Sequence, residues 1–212
     1  FDHSSVTTPY AGLVFDVDDN VSIYTSYTEI FQAQNAKDVN GQRLDPVEGS
    51  NIEAGIKGDF LNEKLTASFA VYKVEEDNVA ARDPINDQPL SDGTFASIGI
   101  EGAQTKGYEM ELNGKPTGDI TLYLSYTHND AEDADGEAYT PYLPENMLRV
   151  SVFYDINEEL RAGLNANWQS EISNPNVGPN DETFKQDGYT LVNVFASYNI
   201  SDQLKLTANV NN

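Results

Sequence analysis

The sequence predicts an all-β chain: an antiparallel transmembrane β-barrel segment of about ten strands of a larger barrel, with short periplasmic turns and long extracellular loops. Three observations predict it. Apolar and polar residues alternate with a period of two in segment after segment. Tight turns and long loops take strict turns along the chain. Charges of both signs sit on the face opposite the apolar one. A soluble sandwich has shorter strands and places long and short connections at both ends without such order.

The elements follow in order. Residues 9–17 alternate with Ala11, Leu13, Phe15 and Val17 on one face, and an Asp/Asn-rich turn follows. In residues 21–29, Val21, Ile23, Thr25 and Tyr27 oppose Ser22, Tyr24, Ser26 and Thr28. The stretch 31–47, with Asn40-Gly41 and Pro46, reads as a long loop. Residues 48–60 place Ile52, Ala54, Ile56 and Phe60 against Asn51, Glu53, Lys57 and Asp59, and 61–63 turn the chain. Residues 64–79 carry Leu65, Ala67, Phe69 and Val71 on one face and run into a second loop, 80–102.

The clearest hairpin comes next. Lys106, Tyr108, Met110 and Leu112 form one face of its first arm and Ile120, Leu122, Leu124 and Tyr126 one face of its second, around Gly114-Lys-Pro-Thr-Gly118. A third loop spans 130–145. Strands at 146–155 and 160–171 follow, their apolar faces carrying Leu148, Val150, Val152 and Tyr154, then Leu160, Ala162, Leu164, Ala166 and Trp168. A fourth loop covers 172–187, and the last pair starts at Gly188 and Leu204. Tyr27, Tyr126, Tyr154, Trp168 and Tyr198 lie on apolar faces near segment ends, where amphipathic rings meet headgroups. Glu53, Lys57, Asp59, Glu109, Glu111, Arg149 and Arg161 are expected to face a wet lumen.

Composition narrows the function. A net charge of -23, from 35 acids against 12 bases, argues against a nucleic-acid partner, whose phosphates would be repelled. No run of about 18 apolar residues is present to form a membrane helix, but a barrel needs only half of each strand to be apolar. Cysteine is absent, which removes disulfides and thiolate metal sites. Catalysis has little support, since His3 and His128 are the sole histidines and no nucleophile elbow is visible. The acidic stretch 130–137 fails the EF-hand register: with Gly136 at the sixth position, the first would be Ala131 and the twelfth Tyr142. No metal site is expected.

Four segments then carry a resemblance: SIYTSYTEIFQAQ at 22–34, LDPVEGSNIEAGIKGDF at 44–60, AQTKGYEMELNGKPTG at 103–118 and DQLKLTANVNN at 202–212. The chain resembles the C-terminal part of the barrel of TonB-dependent outer-membrane receptors, of the ferric-siderophore type. It departs from the family's common pattern at Ala33, where a proline is usual. The resemblance implies a fragment, residues 1–212, of a barrel of about 22 strands that encloses a plug. Plug and final strands are expected to lie outside this stretch. It also implies a Gram-negative outer-membrane location, lipid around the wall, a ferric siderophore as transported ligand, no cofactor, and a TonB complex acting through the plug. A passive porin, a surface adhesin and a soluble β-domain are the alternatives.

Ligand capture is expected of the external loops. Phe31, Phe95, Tyr139 and Tyr142 offer rings, and Gln34 and Arg82 offer polar groups, a mix suited to an amphipathic chelate. The acidity of the loops favours a neutral or cationic complex over a strongly anionic one.

Overall fold

A computed structural model describes residues 6–86, 88–174 and 182–212. The ten long strands are β1 (Tyr10–Asp16), β2 (Val21–Gln32), β3 (Val47–Phe60), β4 (Leu65–Asp77), β7 (Ala103–Gly114), β8 (Ile120–Glu132), β9 (Asn146–Asp155), β10 (Leu160–Gln169), β13 (Tyr189–Ser201) and β14 (Leu204–Asn211). Two small hairpins, β5 (Val79–Arg82) with β6 (Ser97–Ile100) and β11 (Ile172–Asn174) with β12 (Phe184–Gln186), belong to the loops. The ten long strands pair with their neighbours in chain order to form one antiparallel sheet. Each short connection therefore lies at one end and each long one at the other.

The turns are built from local hydrogen bonds. Asp18 Oδ1 accepts the N–H groups of Asn20 and Val21, and Asn157 Oδ1 accepts those of Glu159 and Leu160. These Asx turns satisfy backbone donors that no ladder reaches. Between β3 and β4 the chain reverses through Leu61, Asn62 and Glu63, all at positive φ.

The sheet has two exposed faces and no apolar core. Among the described residues the buried apolar side chains are Val47, Ala70, Ala96 and Ala103, and no large side chain is fully buried. Ile56, Met110 and Val194 remain 44%, 45% and 42% exposed in mid-strand. A water-soluble sheet would bury such a face against a second layer, so this face is built for lipid. Cross-strand register organises it into rows that run perpendicular to the strands. One row runs Leu122, Val152, Leu164, Val194 and Val210, the next Leu112, Leu124, Val150, Ala166 and Val192. Above them lie Ile23, Ile56, Phe69, Met110, Tyr126, Leu148 and Trp168. From Leu160 to Trp168 the strand climbs about 27 Å, or about 20 Å along the membrane normal at a usual tilt of about 40°.

The opposite face is polar and self-bonded. Tyr24 donates to Glu53 at 2.7 Å, Thr66 to Asp59 at 2.6 Å, and Asn165 to Ser151 at 2.7 Å. All the charged residues expected to face a lumen lie on it. Three glycines of this face lie under aromatic rings from adjacent strands. Tyr24 covers Gly55, the Tyr72 ring edge meets Gly107, and Phe153 and Phe195 close over Gly163. A Cβ at Gly163 would stand 2.7 Å from Phe153 Cδ1, so only glycine leaves room for both rings at this position.

Three expectations need correction. β2 runs on to Gln32, so Phe31 is a strand residue paired with Glu48, on the face of Ile23 and Tyr27. β8 likewise extends to Glu132, which leaves Tyr126 in mid-strand. Both follow from one cause: strands of the sheet continue past the apolar band, where polar residues pair as readily as apolar ones. β10 stops at Gln169 and β13 ends in a register shift near Asn199. His3 and part of the fourth loop, 175–181, lie outside the described residues.

Candidate functional site: the external mouth

Three of the long loops share one device. The amide of Asp38 bonds the carbonyl of Gln42 at 2.7 Å and Gly41 bonds back to Asp38 at 2.9 Å. Leu90 with Thr94 and Gly93, and Asp133 with Glu137 and Gly136, repeat the pattern. The glycines have φ of 76°, 81° and 81°, and bridges Lys37 to Arg43, Pro89 to Phe95 and Glu132 to Ala138 flank the turns. Each tip is a tight hairpin with a left-handed glycine after a type I-like reversal. The signal is the dipeptide before it: Asn40-Gly41, Asp92-Gly93, Asp135-Gly136. Asp133 Oδ1 accepts the amides of Asp135 and Glu137, so this carboxylate of the acidic loop serves the turn itself.

The first two loops are clasped. Gln34 Nε2 donates to the carbonyls of Asp45 and Asn78, the latter at 2.7 Å, and Lys37 pairs with Asp92. The Ser97 amide reaches the Lys37 carbonyl at 2.7 Å. The Lys37 ammonium, with the hydroxyl and amide of Thr94, holds the Asp92 carboxyl well below the usual range. The Gln42 amide, then Asn40, lowers Asp38, and the Asn86 side-chain amide with the Ile85 and Asn86 backbone amides lowers Asp83. These acids are ionised at any physiological pH.

The third and fourth loops enclose a cavity of about 640 Å³ above the ends of β7–β10. Asn129, Asp130, Tyr139, Ser170, Glu171 and Lys185 line it. Ser173 donates to the Pro141 carbonyl at 2.8 Å and Asn146 to Ser170 Oγ at 3.1 Å, which fixes the two loops together. The volume suits a small-molecule ligand, and the lining mixes rings, amides and both signs of charge.

The six ligand candidates separate. Tyr139 lines the cavity, its hydroxyl 3.5 Å from Thr105 Oγ1. Arg82 and Phe95 come together, the guanidinium 4.1 Å from the ring centroid on the second loop. Gln34 is committed to the clasp, Tyr142 is 52% exposed near the cavity without lining it, and Phe31 lies on the outer side of the wall. Asn129, Ser170 and Lys185 were not candidates. Nothing local marks them, because the cavity is assembled from segments far apart in sequence.

The whole chain, residues 1–212, matches the family model described as TonB dependent receptor-like, beta-barrel. The chain belongs to that family. It is 40% identical over 211 residues to the ferric-pyoverdine 358 receptor of Pseudomonas putida, covering 98% of this chain and 25% of that protein. To the ferripyoverdine receptor of Pseudomonas aeruginosa it is 36% identical, covering 96% and 26%. The crystal structure of the Pseudomonas aeruginosa ferripyoverdine receptor bound to ferripyoverdine superposes with a TM-score of 0.84 at 35% identity, over 97% of this chain and 28% of that one. The alcaligin receptor FauA of Bordetella pertussis gives 0.72 at 32%, over 97% and 34%. This TonB-dependent receptor chain thus spans about a quarter of the length of the curated relatives it matches. Family membership makes the apolar face a lipid-facing wall in the outer membrane of a Gram-negative bacterium, and the family is one of transport receptors.

Proposed function

We propose that the chain forms part of the barrel wall and external mouth of a longer receptor that takes up a ferric siderophore, of the pyoverdine type named for its relatives. The observation that carries the reading is the continuity of the polar wall with the cavity. The inward row containing Tyr72 and Asn129, whose side chains bond, leads directly to the lining around Tyr139. In this proposal residues 1–212 are a partial barrel domain, β1 and β14 pair with further strands, and a plug fills the lumen and answers to TonB. Tyr139, with Arg82, Phe95 and Tyr142 on neighbouring loops, presents rings and a guanidinium to the chelate. Phe31 and Gln34 act at the rim through packing and the clasp. The acidic balance of the loops favours a neutral or cationic complex.

The test is uptake of radioactive iron by cells that lack their own pyoverdine receptors and express a full-length receptor carrying this chain. Uptake that depends on a pyoverdine-type chelate and on TonB is expected, with Tyr139→Ala weakening chelate binding about tenfold, as loss of one well-packed ring does. TonB-independent entry of small solutes would favour a passive porin instead.

A further inference from the structure

The bonds that pin the third loop to the fourth also bring two acids together. Asn146 donates to Ser170 Oγ at 3.1 Å and accepts from the Ser170 amide at 2.9 Å, which carries the register of β9 and β10 one step past Gln169. Glu145 and Glu171 come next, side by side, and both line the cavity of about 640 Å³. On the other flank the Asn129 amide holds the Glu145 carbonyl at 2.8 Å, so the pair continues the inward row of Tyr72 and Asn129.

Two carboxylates opposed across a ladder repel each other unless a cation joins them. Among the described residues neither Glu145 nor Glu171 makes an ion pair. Lys185 lines the same cavity from β12, as register partner of Ser173, and among the described residues it too makes no ion pair. The Ser173 amide is fixed to the Pro141 carbonyl at 2.8 Å, which holds this hairpin in place. Opposite charges are thus kept open in one space, with the Tyr139 ring beside them. A metal ion does not suit the lining. Among the described residues no group of three or more His, Cys, Asp or Glu side chains is gathered, whereas calcium takes about six to eight oxygens.

We propose that this cavity takes a cationic arm of the ligand: a primary ammonium or guanidinium enters between Glu145 and Glu171, beside Tyr139, and Lys185 meets a carbonyl or carboxylate oxygen of the same arm. This rests on the uptake reading above, and names the part of the chelate that the third and fourth loops recognise. A cation between the two carboxylates removes their repulsion and donates charge-assisted bonds to both. The ring face adds a cation–π contact.

The test is calorimetric binding to the full-length receptor in detergent, with two probes. One is a ferric pyoverdine-type chelate that carries a single free primary amine on its peptide arm, the other the same chelate acetylated at that amine. Acetylation is expected to weaken binding about tenfold. E145Q/E171Q is expected to weaken the amine probe by about the same factor and to leave the acetylated probe unchanged, because both changes remove one interaction. Lys185→Gln should weaken the two probes alike, about fivefold. Glu137→Gln, exposed on the third loop and outside the lining, is expected to change neither. Circular dichroism on each variant reports folding. Equal binding of the two probes by the native receptor, or equal losses for both in E145Q/E171Q, overturns the cationic subsite while the uptake reading stands. Binding of neither probe overturns the uptake reading, and the subsite with it. Saturable micromolar binding of free lysine without chelate overturns the choice of an arm over a free amine.

Discussion

Leu124 and Ser125 are adjacent on β8 and separate the two solvents of this wall. Leu124 lies on the outward row with Leu112 and Val150, near the middle of the apolar band, and Ser125 on the inward row between Glu111 and Arg149. Leu124→Arg places a cation against the hydrocarbon at mid-depth, a cost of about 2–4 kcal/mol in transmembrane barrels, and removes a leucyl contact worth about 1.5–3 kcal/mol. The arginine stem recovers part of the second term, so a loss of about 3–5 kcal/mol is expected. Ser125→Arg adds the same side chain to a wet face where Arg149 already stands, and about 0–1 kcal/mol is expected. The assay is reversible urea unfolding of the full-length receptor in lipid vesicles, followed by tryptophan fluorescence. A third variant, Tyr108→Arg, sits at the rim and should cost about 0–1 kcal/mol for the charge, plus lost ring contacts of about 0.5–1.5 kcal/mol each. Equal losses for Leu124→Arg and Ser125→Arg, or the larger loss for Ser125→Arg, would refute the assignment of the faces.

Further consequences follow from single contacts. Gly163→Ala is expected to cost about 1–3 kcal/mol in the same unfolding assay, since its methyl group must displace Phe153 and Phe195, and Phe195→Ala in the same background should recover part of it. The Lys37–Asp92 clasp rests on a carboxyl lowered by its partner. Its contribution is complete above the unfolded carboxylate range near pH 4 and fades only as pH falls through the lower folded value. Limited proteolysis at pH 5 should therefore cut the first two loops no faster than at pH 7, whereas Asp92→Asn should speed cutting at both. Gln34→Ala removes both donors that join residues 45 and 78, and amide exchange at Asn78 and Val79 should accelerate about five- to thirtyfold, the loss of about 1–2 kcal/mol of local hydrogen bonding.

The amino-acid order alone determined the strand faces, because a pleated strand sends successive side chains to opposite sides whatever lies around it. Lys57, Arg149 and Glu109 are legible as one side, and Ile56, Val150 and Met110 as the other, from parity alone. The alternation of short and long connections likewise required no coordinates. Strand ends were less legible. Past the aromatic rows each side of β2 mixes apolar with polar residues, Glu29 with Phe31 and Ile30 with Thr28 and Gln32, and neither side of β8 is apolar, so the period-two signal fades while backbone pairing continues, and Phe31 and Tyr126 read as nearer to a loop than they are. The three loop tips were written in their Asx-Gly pairs, but which loop clasps which was not. Gln34 finds Asn78, Lys37 finds Asp92, and Tyr139 approaches Thr105 because the sheet brings separate connections to one end. The cavity lined by Tyr139 and Lys185, and the side-by-side placement of Glu145 and Glu171, belong to that same class of fact. A residue's side of the strand is a local property of the chain, while its neighbour across the ladder depends on register, which the assembled sheet fixes as a whole.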